Sequence, residues 1–179
     1  MKLNKIVLGV SLAFGIVSFV QAATDPTADL GHGTVTFTGS IVDAPCSIDP
    51  ESIDQTVDLG QVSNVALDNK GTSTPKSFTI KLEKCNIGDK GKSVTAKFTG
   101  AEGSTAGLLG ITGSAKGASI AVIDGKGTLI ELGKSTEAQK LQNGNNTLLF
   151  SAYLQGDGAS GGVVPGDFKS VANFTLDYQ

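Results

Sequence analysis

The residues that could perform chemistry in this sequence are few and far apart. Cys46, Cys85 and His32 supply the only thiols and the only imidazole in 179 residues. A Ser-His-Asp or Cys-His site needs a histidine held beside a nucleophile, and a zinc or copper site needs several such ligands. His32 stands between two glycines near the start of the chain, which favours a solvated residue. We therefore predict no catalytic residue, no metal and no cofactor, and that the chain is not an enzyme.

Charged residues offer no better site. Carboxylates crowd the stretch from Asp43 to Asp58, but their spacing does not match a Ca²⁺-binding loop, so a solvated acidic edge is favoured. The chain has 14 Lys plus Arg against 17 Asp plus Glu, and every one of those cations is a lysine. Without arginine forks or a basic surface, nucleic acid and acidic membranes are excluded as expected partners.

The start of the chain is typical of a secretory signal peptide. Two lysines precede an apolar run from Ile6 to Val20, and small residues follow at Ala22 and Ala23. A membrane anchor is the alternative, but the run is shorter than the roughly 20 residues that a span needs. We predict a signal peptide over residues 1–22, with cleavage after Ala22 or Ala23, and export of the remaining 157 residues.

In an exported chain two lone cysteines usually form one disulfide, so Cys46 and Cys85 are predicted to be bonded to each other. A metal-binding pair or a reactive thiol is the alternative, and neither has companion ligands in the sequence.

Alternation of apolar and polar residues with a period of two predicts an all-β chain. The sequence holds 24 glycines and scarcely any helical period, and Asp124-Gly125-Lys126-Gly127 is typical of a hairpin turn. Short helices are possible only at 65–70 and 135–141. The pattern favours an antiparallel sandwich of immunoglobulin type. The predicted strands are 34–41, Thr56–Leu59, 77–82, 93–98, 120–122, 128–132, 148–154 and 171–178.

An amphipathic strand is predicted close to each end of the mature chain. Val35, Phe37 and Ile41 share one face of the first, and that face would be an exposed apolar edge if it paired with nothing. Each terminal strand could also simply complete the chain's own sheet, and the pattern alone leaves that open.

The residues at these two ends carry a family resemblance. Residues 33–48, GTVTFTGSIVDAPCSI, and residues 174–179, FTLDYQ, resemble the ends of major pilins of chaperone-usher fimbriae, in particular P-pilus-like and mannose-resistant ones. The resemblance runs from the signal peptide to Gln179 and includes both cysteines.

The resemblance implies an incomplete immunoglobulin-like sandwich that lacks its final strand and is completed by donor-strand exchange. The implied domains are a signal peptide (1–22), an N-terminal donor-strand extension (23–43) and a pilin domain (44–179). The implied partners are identical or related pilin subunits, a periplasmic chaperone and an outer-membrane usher. The chain would pass through the periplasm to an extracellular fimbria on the cell surface.

The resemblance also implies roles for particular residues. Val35, Phe37 and Ile41 would plug a groove on the next subunit, and Gly39 would let the donor backbone pass over a bulky groove residue. The implied acceptor-groove and chaperone-binding residues are Gly166, Ala172, Phe174, Leu176, Tyr178 and Gln179.

Two alternatives remain at this point. A minor or adaptor pilin would share most of the pattern, whereas a two-domain tip adhesin is disfavoured because 157 residues hold one sandwich. A secreted carbohydrate-binding β-sandwich module would instead be a stable monomer.

Overall fold

The structure, a computed structural model, describes residues 31–89, 91–158 and 160–179. The chain divides into two units, Met1–Ile41 and Val42–Gln179. In the first unit, the described residues 31–41 contain neither helix nor strand. The predicted signal peptide, residues 1–22, lies outside the described residues.

The second unit consists of short antiparallel strands with very little helix. One helical turn, α1 (Pro50–Ile53), follows the first strand, and a 3₁₀ segment spans Asn64–Lys70. The strands are β1 (Ser47–Ile48), β2 (Lys76–Cys85), β3 (Ser93–Gly100), β4 (Leu109–Gly110), β5 (Thr112–Gly113), β6 (Ala118–Asp124), β7 (Leu129–Ile130), β8 (Gln139–Lys140), β9 (Gly144–Gly156), β10 (Phe168–Lys169) and β11 (Ala172–Tyr178).

The larger sheet has the strand order β1-β2-β9-β6-β4, and β7 pairs with β6. Its two longest strands, β2 and β9, are antiparallel and place Phe78 opposite Phe150 and Ile80 opposite Leu148. Large apolar residues at alternate positions turn one face of each strand inward. The sheet therefore presents one continuous apolar face.

A smaller sheet, in the order β11-β3-β8, packs against that face, and β10 pairs with β5 as a separate ribbon. The two sheets meet through Phe98 of β3, whose ring centroid lies 5.1 Å from that of Phe150 and 6.2 Å from that of Phe78. These edge-to-face contacts hold the centre of the sandwich. Cys46 and Cys85 form a disulfide that fastens β1 to the end of β2, as predicted.

Most of the predicted strands are confirmed. The segments 77–82, 93–98, 120–122, 148–154 and 171–178 lie in or overlap β2, β3, β6, β9 and β11, and β7 falls within 128–132. The predicted hairpin is also present: the Asp124 carboxylate accepts hydrogen bonds from the amides of Lys126 and Thr128, and Gly127 takes a positive φ of 86°.

Three predictions about local structure are wrong. Thr56–Leu59 forms no strand, because no described strand pairs with it. Residues 135–141 form no helix: the Thr136 hydroxyl oxygen accepts a hydrogen bond from the Ala96 amide, and β8 pairs with β3. This segment satisfies the edge of β3, so tertiary pairing overrides local propensity. Residues 34–41, predicted as a strand, contain none in this chain.

Candidate functional site: an open groove beside the C-terminal strand

Among the described residues, the C-terminal strand β11 has a strand on one edge only. It pairs antiparallel with β3 from Ala172 opposite Gly100 to Tyr178 opposite Val94. Ser93 and Gln179 exchange both of their backbone hydrogen bonds, each 2.9 Å long. Because such pairs alternate along an antiparallel ladder, every second residue of β11 turns its N–H and C=O towards β3.

The remaining residues of β11 turn their backbone groups the other way. Ala172, Phe174, Leu176 and Tyr178 occupy the non-hydrogen-bonded positions against β3, so their N–H and C=O groups point to the opposite edge. Within the described parts of the chain, no strand pairs with that edge. The edge is therefore a row of donors and acceptors ready for an added strand.

The side chains that border this open edge are apolar and incompletely covered. Phe174, Leu176 and Tyr178 pack against the sandwich core and are only half-buried. Burial from water raises the pKa of the Tyr178 phenol. An apolar strand face left this open is expected to bind another apolar surface.

A groove runs beside β11 and reaches down to the core of the sandwich. Two adjoining cavities form it, one of about 700 Å³ and one of about 1000 Å³, and both are bordered by Ile120 and Ala172. Phe78 and Phe98 line the smaller cavity, and Leu67 and Leu154 line the larger. Residues of the core thus line the groove where an immunoglobulin-like sandwich would carry another strand.

One wall of the groove is the irregular segment after β1. Asp49 caps α1 by accepting a hydrogen bond from the Glu51 amide at 2.8 Å, and Pro50 begins the helical turn. The Gln55 side chain then donates to the Thr79 carbonyl at 2.8 Å, which holds the following chain beside β2. From there residues 55–59 extend along the groove.

The opposite wall, residues 163–171, is fastened to β4, β5 and the chain that follows β5. The Ser170 hydroxyl donates to the Gly110 carbonyl at 2.6 Å, and the Val164 amide donates to the Lys116 carbonyl at 2.9 Å. Gly166 lies so close to Ser114 that a Cβ at this position would collide with it. This wall leads directly into β11.

The leading segment, residues 31–41, carries apolar side chains that are exposed to solvent. The exposed fractions are 74% for Val35, 90% for Phe37 and 104% for Ile41. Gly39 stands in the same alternation, and a Cβ there would have no described atom within 4 Å. Exposed apolar groups at every second residue from 35 to 41 could all be buried on one face of a strand.

The structure gathers some of the predicted acceptor residues in the groove. Gly166, Ala172 and Phe174 line it directly, and Leu176 and Tyr178 continue the same face of β11. Gln179 ends the strand against Ser93. Sequence reasoning did not assign Ile53, Val57 and Leu59 to the groove, because Ile53 ends the short helix α1 and the strand predicted over Thr56–Leu59 does not form. The Asp49-Pro50-Glu51 cap was the one local signal for that wall.

Within residues 31–89, 91–158 and 160–179, no group of three or more His, Cys, Asp or Glu side chains is placed to hold a metal ion. No helix in those ranges is long and apolar enough to cross a membrane.

Comparison with known proteins is consistent with this geometry. Residues 35–179 match the family described as Fimbrial protein. The chain is 59% identical to the Fimbria A protein of Serratia marcescens, with 100% of both chains covered. It is 48% identical to the major MR/P fimbria protein of Proteus mirabilis, again over 100% of both.

Solved structures give the same result. The P pilus rod subunit PapA matches with a TM-score of 0.67 and 34% identity, covering 76% of this chain and 100% of that one. A subunit from a chaperone-usher pilus structure concerned with rod uncoiling matches with a TM-score of 0.74 and 36% identity, covering 86% and 99%.

The fold and its open groove are those of a chaperone-usher pilus subunit, an immunoglobulin-like sandwich whose sheets do not close. The chain belongs to the fimbrial protein family. It functions as a structural subunit of an extracellular fimbria. The chain arrives there by export through the periplasm.

Proposed function

We propose that this subunit polymerises by lending residues 35–41 to the groove of the next copy, where they add a strand beside β11. The single observation that carries the proposal is the unpaired edge of β11, with backbone groups directed outward and half-buried apolar side chains beside it. Strand addition to an open sheet edge, including donor-strand complementation of pilins, is a known mode of recognition.

The leading segment has the chemistry to fill the groove. Val35, Phe37 and Ile41 are largely exposed, so their side chains would move from water into the groove on assembly. At roughly 1.5 to 3 kcal/mol for each side chain, the burial contributes about 5 to 9 kcal/mol before ordering costs. New backbone hydrogen bonds along β11 add to this.

Gly39 has a separate role in this scheme. Without a side chain it lets the donor backbone approach the bulky residues of the acceptor strand closely. A Cβ at Gly39 would have no described atom within 4 Å in the subunit itself, so a larger residue there would collide only inside the groove of the neighbouring subunit.

The direction of growth follows from the difference between the two surfaces. The donor is an extended segment and the acceptor is a groove, so each contact joins unlike surfaces on two copies. A head-to-tail contact of this kind generates an open filament if its rotation does not close a ring. Related pilins with the same two surfaces would join the same filament.

A periplasmic chaperone and an outer-membrane usher are the expected handling partners. A free groove with the open edge of β11 and the half-buried rings of Phe78 and Phe174 would aggregate, so it needs a temporary strand before assembly. The carboxylate of Gln179, at the end of β11, is the proposed anchor for cationic chaperone residues. The role is structural rather than catalytic, consistent with a family of fimbrial subunits.

The proposal is tested by electrophoresis of fimbriae from cells, without boiling. The wild-type chain should run as a ladder of multimers that boiling converts to monomer. A variant lacking residues 33–41 keeps the whole groove but has no donor, so it should yield no ladder. A single band from the wild-type chain would instead support a monomeric secreted module and overturn the proposal.

A further inference from the structure

The two faces of β11 differ in a way that selects one alignment of the donor segment. The inference developed here rests on the donor-strand assembly proposed above. Ala172, Phe174, Leu176 and Tyr178 form the inner face, which borders the core. The residues between them form the outer face, and Val171, which immediately precedes the strand, holds the same position in the alternation.

The inner faces fit by size in one antiparallel alignment. It places Gly39 opposite Phe174, so that the residue without a side chain meets a bulky aromatic one. The same alignment places Ile41 opposite the small Ala172. The remaining inner pairs are Phe37 with Leu176 and Val35 with Tyr178. Interdigitation of large with small residues is what close packing requires.

The outer faces fit by polarity in the same alignment. Four polar donor residues fall opposite four polar residues of β11, and one apolar pair follows them. The polar pairs are Thr34 with Gln179, Thr36 with Asp177, Thr38 with Thr175 and Ser40 with Asn173. The apolar pair is Val42 with Val171.

These two valines are exposed apolar residues of the subunit, and Val171 is the last residue of the groove wall 163–171. Val42 is 70% exposed and Val171 is 63% exposed, and neither joins the sandwich core. In the antiparallel alignment Val42 and Val171 form a non-hydrogen-bonded pair, because the hydrogen bonds between the two strands are made by the backbone groups of the inner-face residues. Side chains lie closer in such pairs than in hydrogen-bonded ones.

We propose that Val42 of one copy contacts Val171 of the next on the outer face of the completed sheet, and that this contact fixes the register of the donor strand. The occupant of the edge is a second copy of this chain. The contact extends the buried apolar surface beyond the groove to the point where the donor segment enters its own subunit.

Other alignments lose this match. A shift of two residues one way places Val42 opposite Asn173, and a shift the other way places it opposite Lys169. A parallel strand with Gly39 opposite Phe174 would set Val42 beside Asp177. On a sheet surface, an apolar side chain opposite a polar or charged one is less favourable than a pair of β-branched side chains.

The test is cysteine cross-linking in assembled fimbriae. Opposed Cα atoms in a non-hydrogen-bonded pair lie about 4.5 Å apart, within the range that a disulfide spans. In the proposed register, the double variant Val42→Cys/Val171→Cys should give multimers that survive boiling without reductant and collapse to monomer with it. Ser40→Cys/Asn173→Cys should do the same, since these residues are also opposed.

The same four positions supply the matched controls. Val42→Cys/Asn173→Cys and Ser40→Cys/Val171→Cys combine the same residues in shifted registers and should fall to monomer on boiling. Each single variant should form no ladder after boiling, which excludes exchange with Cys46 or Cys85.

The outcomes separate the proposal from the function on which it rests. Cross-linking of the shifted pairs in place of the matched ones would overturn the register. A ladder from the Ser40/Asn173 pair without one from the Val42/Val171 pair would overturn the valine contact. Absence of multimers in unboiled wild-type samples would instead overturn donor-strand assembly itself.

Discussion

Replacing Phe37 by alanine should weaken the link between subunits without affecting the fold of each subunit. Phe37 is 90% exposed, so nearly its whole ring would be transferred from water to the groove on assembly. A buried phenylalanine contributes about 1.5 to 3 kcal/mol. A loss of about 2 kcal/mol corresponds to a roughly 30-fold faster dissociation of the donor strand, if the rate of association is unchanged.

The assay is the rate at which isolated fimbriae dissociate to monomer on warming, followed by unboiled electrophoresis. Thr36→Ala is the matched control, because Thr36 is the neighbouring residue on the opposite face of the donor strand and a surface change is worth at most about 0.5 kcal/mol. Equal effects of the two substitutions, or stability unchanged by Phe37→Ala, would refute the assignment of the inner face.

Three other predictions concern single residues. Gly39→Asn should leave the subunit able to fold with its chaperone but absent from fibres, because the new side chain meets the groove of the neighbour; Ser40→Asn is the control, and normal fibres from Gly39→Asn would contradict the donor role. Cys46→Ser should sharply lower subunit yield in periplasmic extracts, since the disulfide closes a separation of 39 residues and such a loop stabilises by about 4 kcal/mol in the chain-entropy model; an unchanged yield would contradict a structural role. Burial already raises the pKa of the Tyr178 phenol, and we expect this pKa to be higher still in fibres. Ultraviolet titration of a Tyr153→Phe variant would measure it. Because the raised pKa belongs to the folded state, the stability that Tyr178 contributes is present below the unfolded-state pKa and is lost as the pH rises through the folded-state pKa.

Alternation of apolar and polar residues predicts the central strands correctly, because the strands with which they pair belong to the same chain. Phe78, Ile80 and Leu82 repeat with a period of two, and β2 and β9 satisfy one another over most of their length. The open edge of β11 could be anticipated only through resemblance to a family, because a period of two does not distinguish a central strand from an edge. Exposure of the leading segment likewise required the structure.

The groove walls were beyond sequence reasoning for a different reason. Residues 55–59 are held by a long-range hydrogen bond, which the Gln55 side chain donates to Thr79, and not by pairing with another strand. Local propensity allowed a helix around Thr136. Propensity carries no information about the edge of β3, which this segment covers. Both depend on long-range pairing, which propensity does not encode.

Amide hydrogen exchange along β11, compared between unassembled subunit and fibre, tests most directly whether a neighbour completes this sheet. The amides of Phe174, Leu176 and Tyr178 point to the open edge, whereas those of Thr175 and Asp177 already bond to β3. The first group should exchange quickly in a dilute unassembled subunit separated from its chaperone, whose strand would otherwise cover the same edge, and become protected in the fibre, while the second is protected in both. Protection of the first group that is the same in both states would contradict completion of the sheet by another copy.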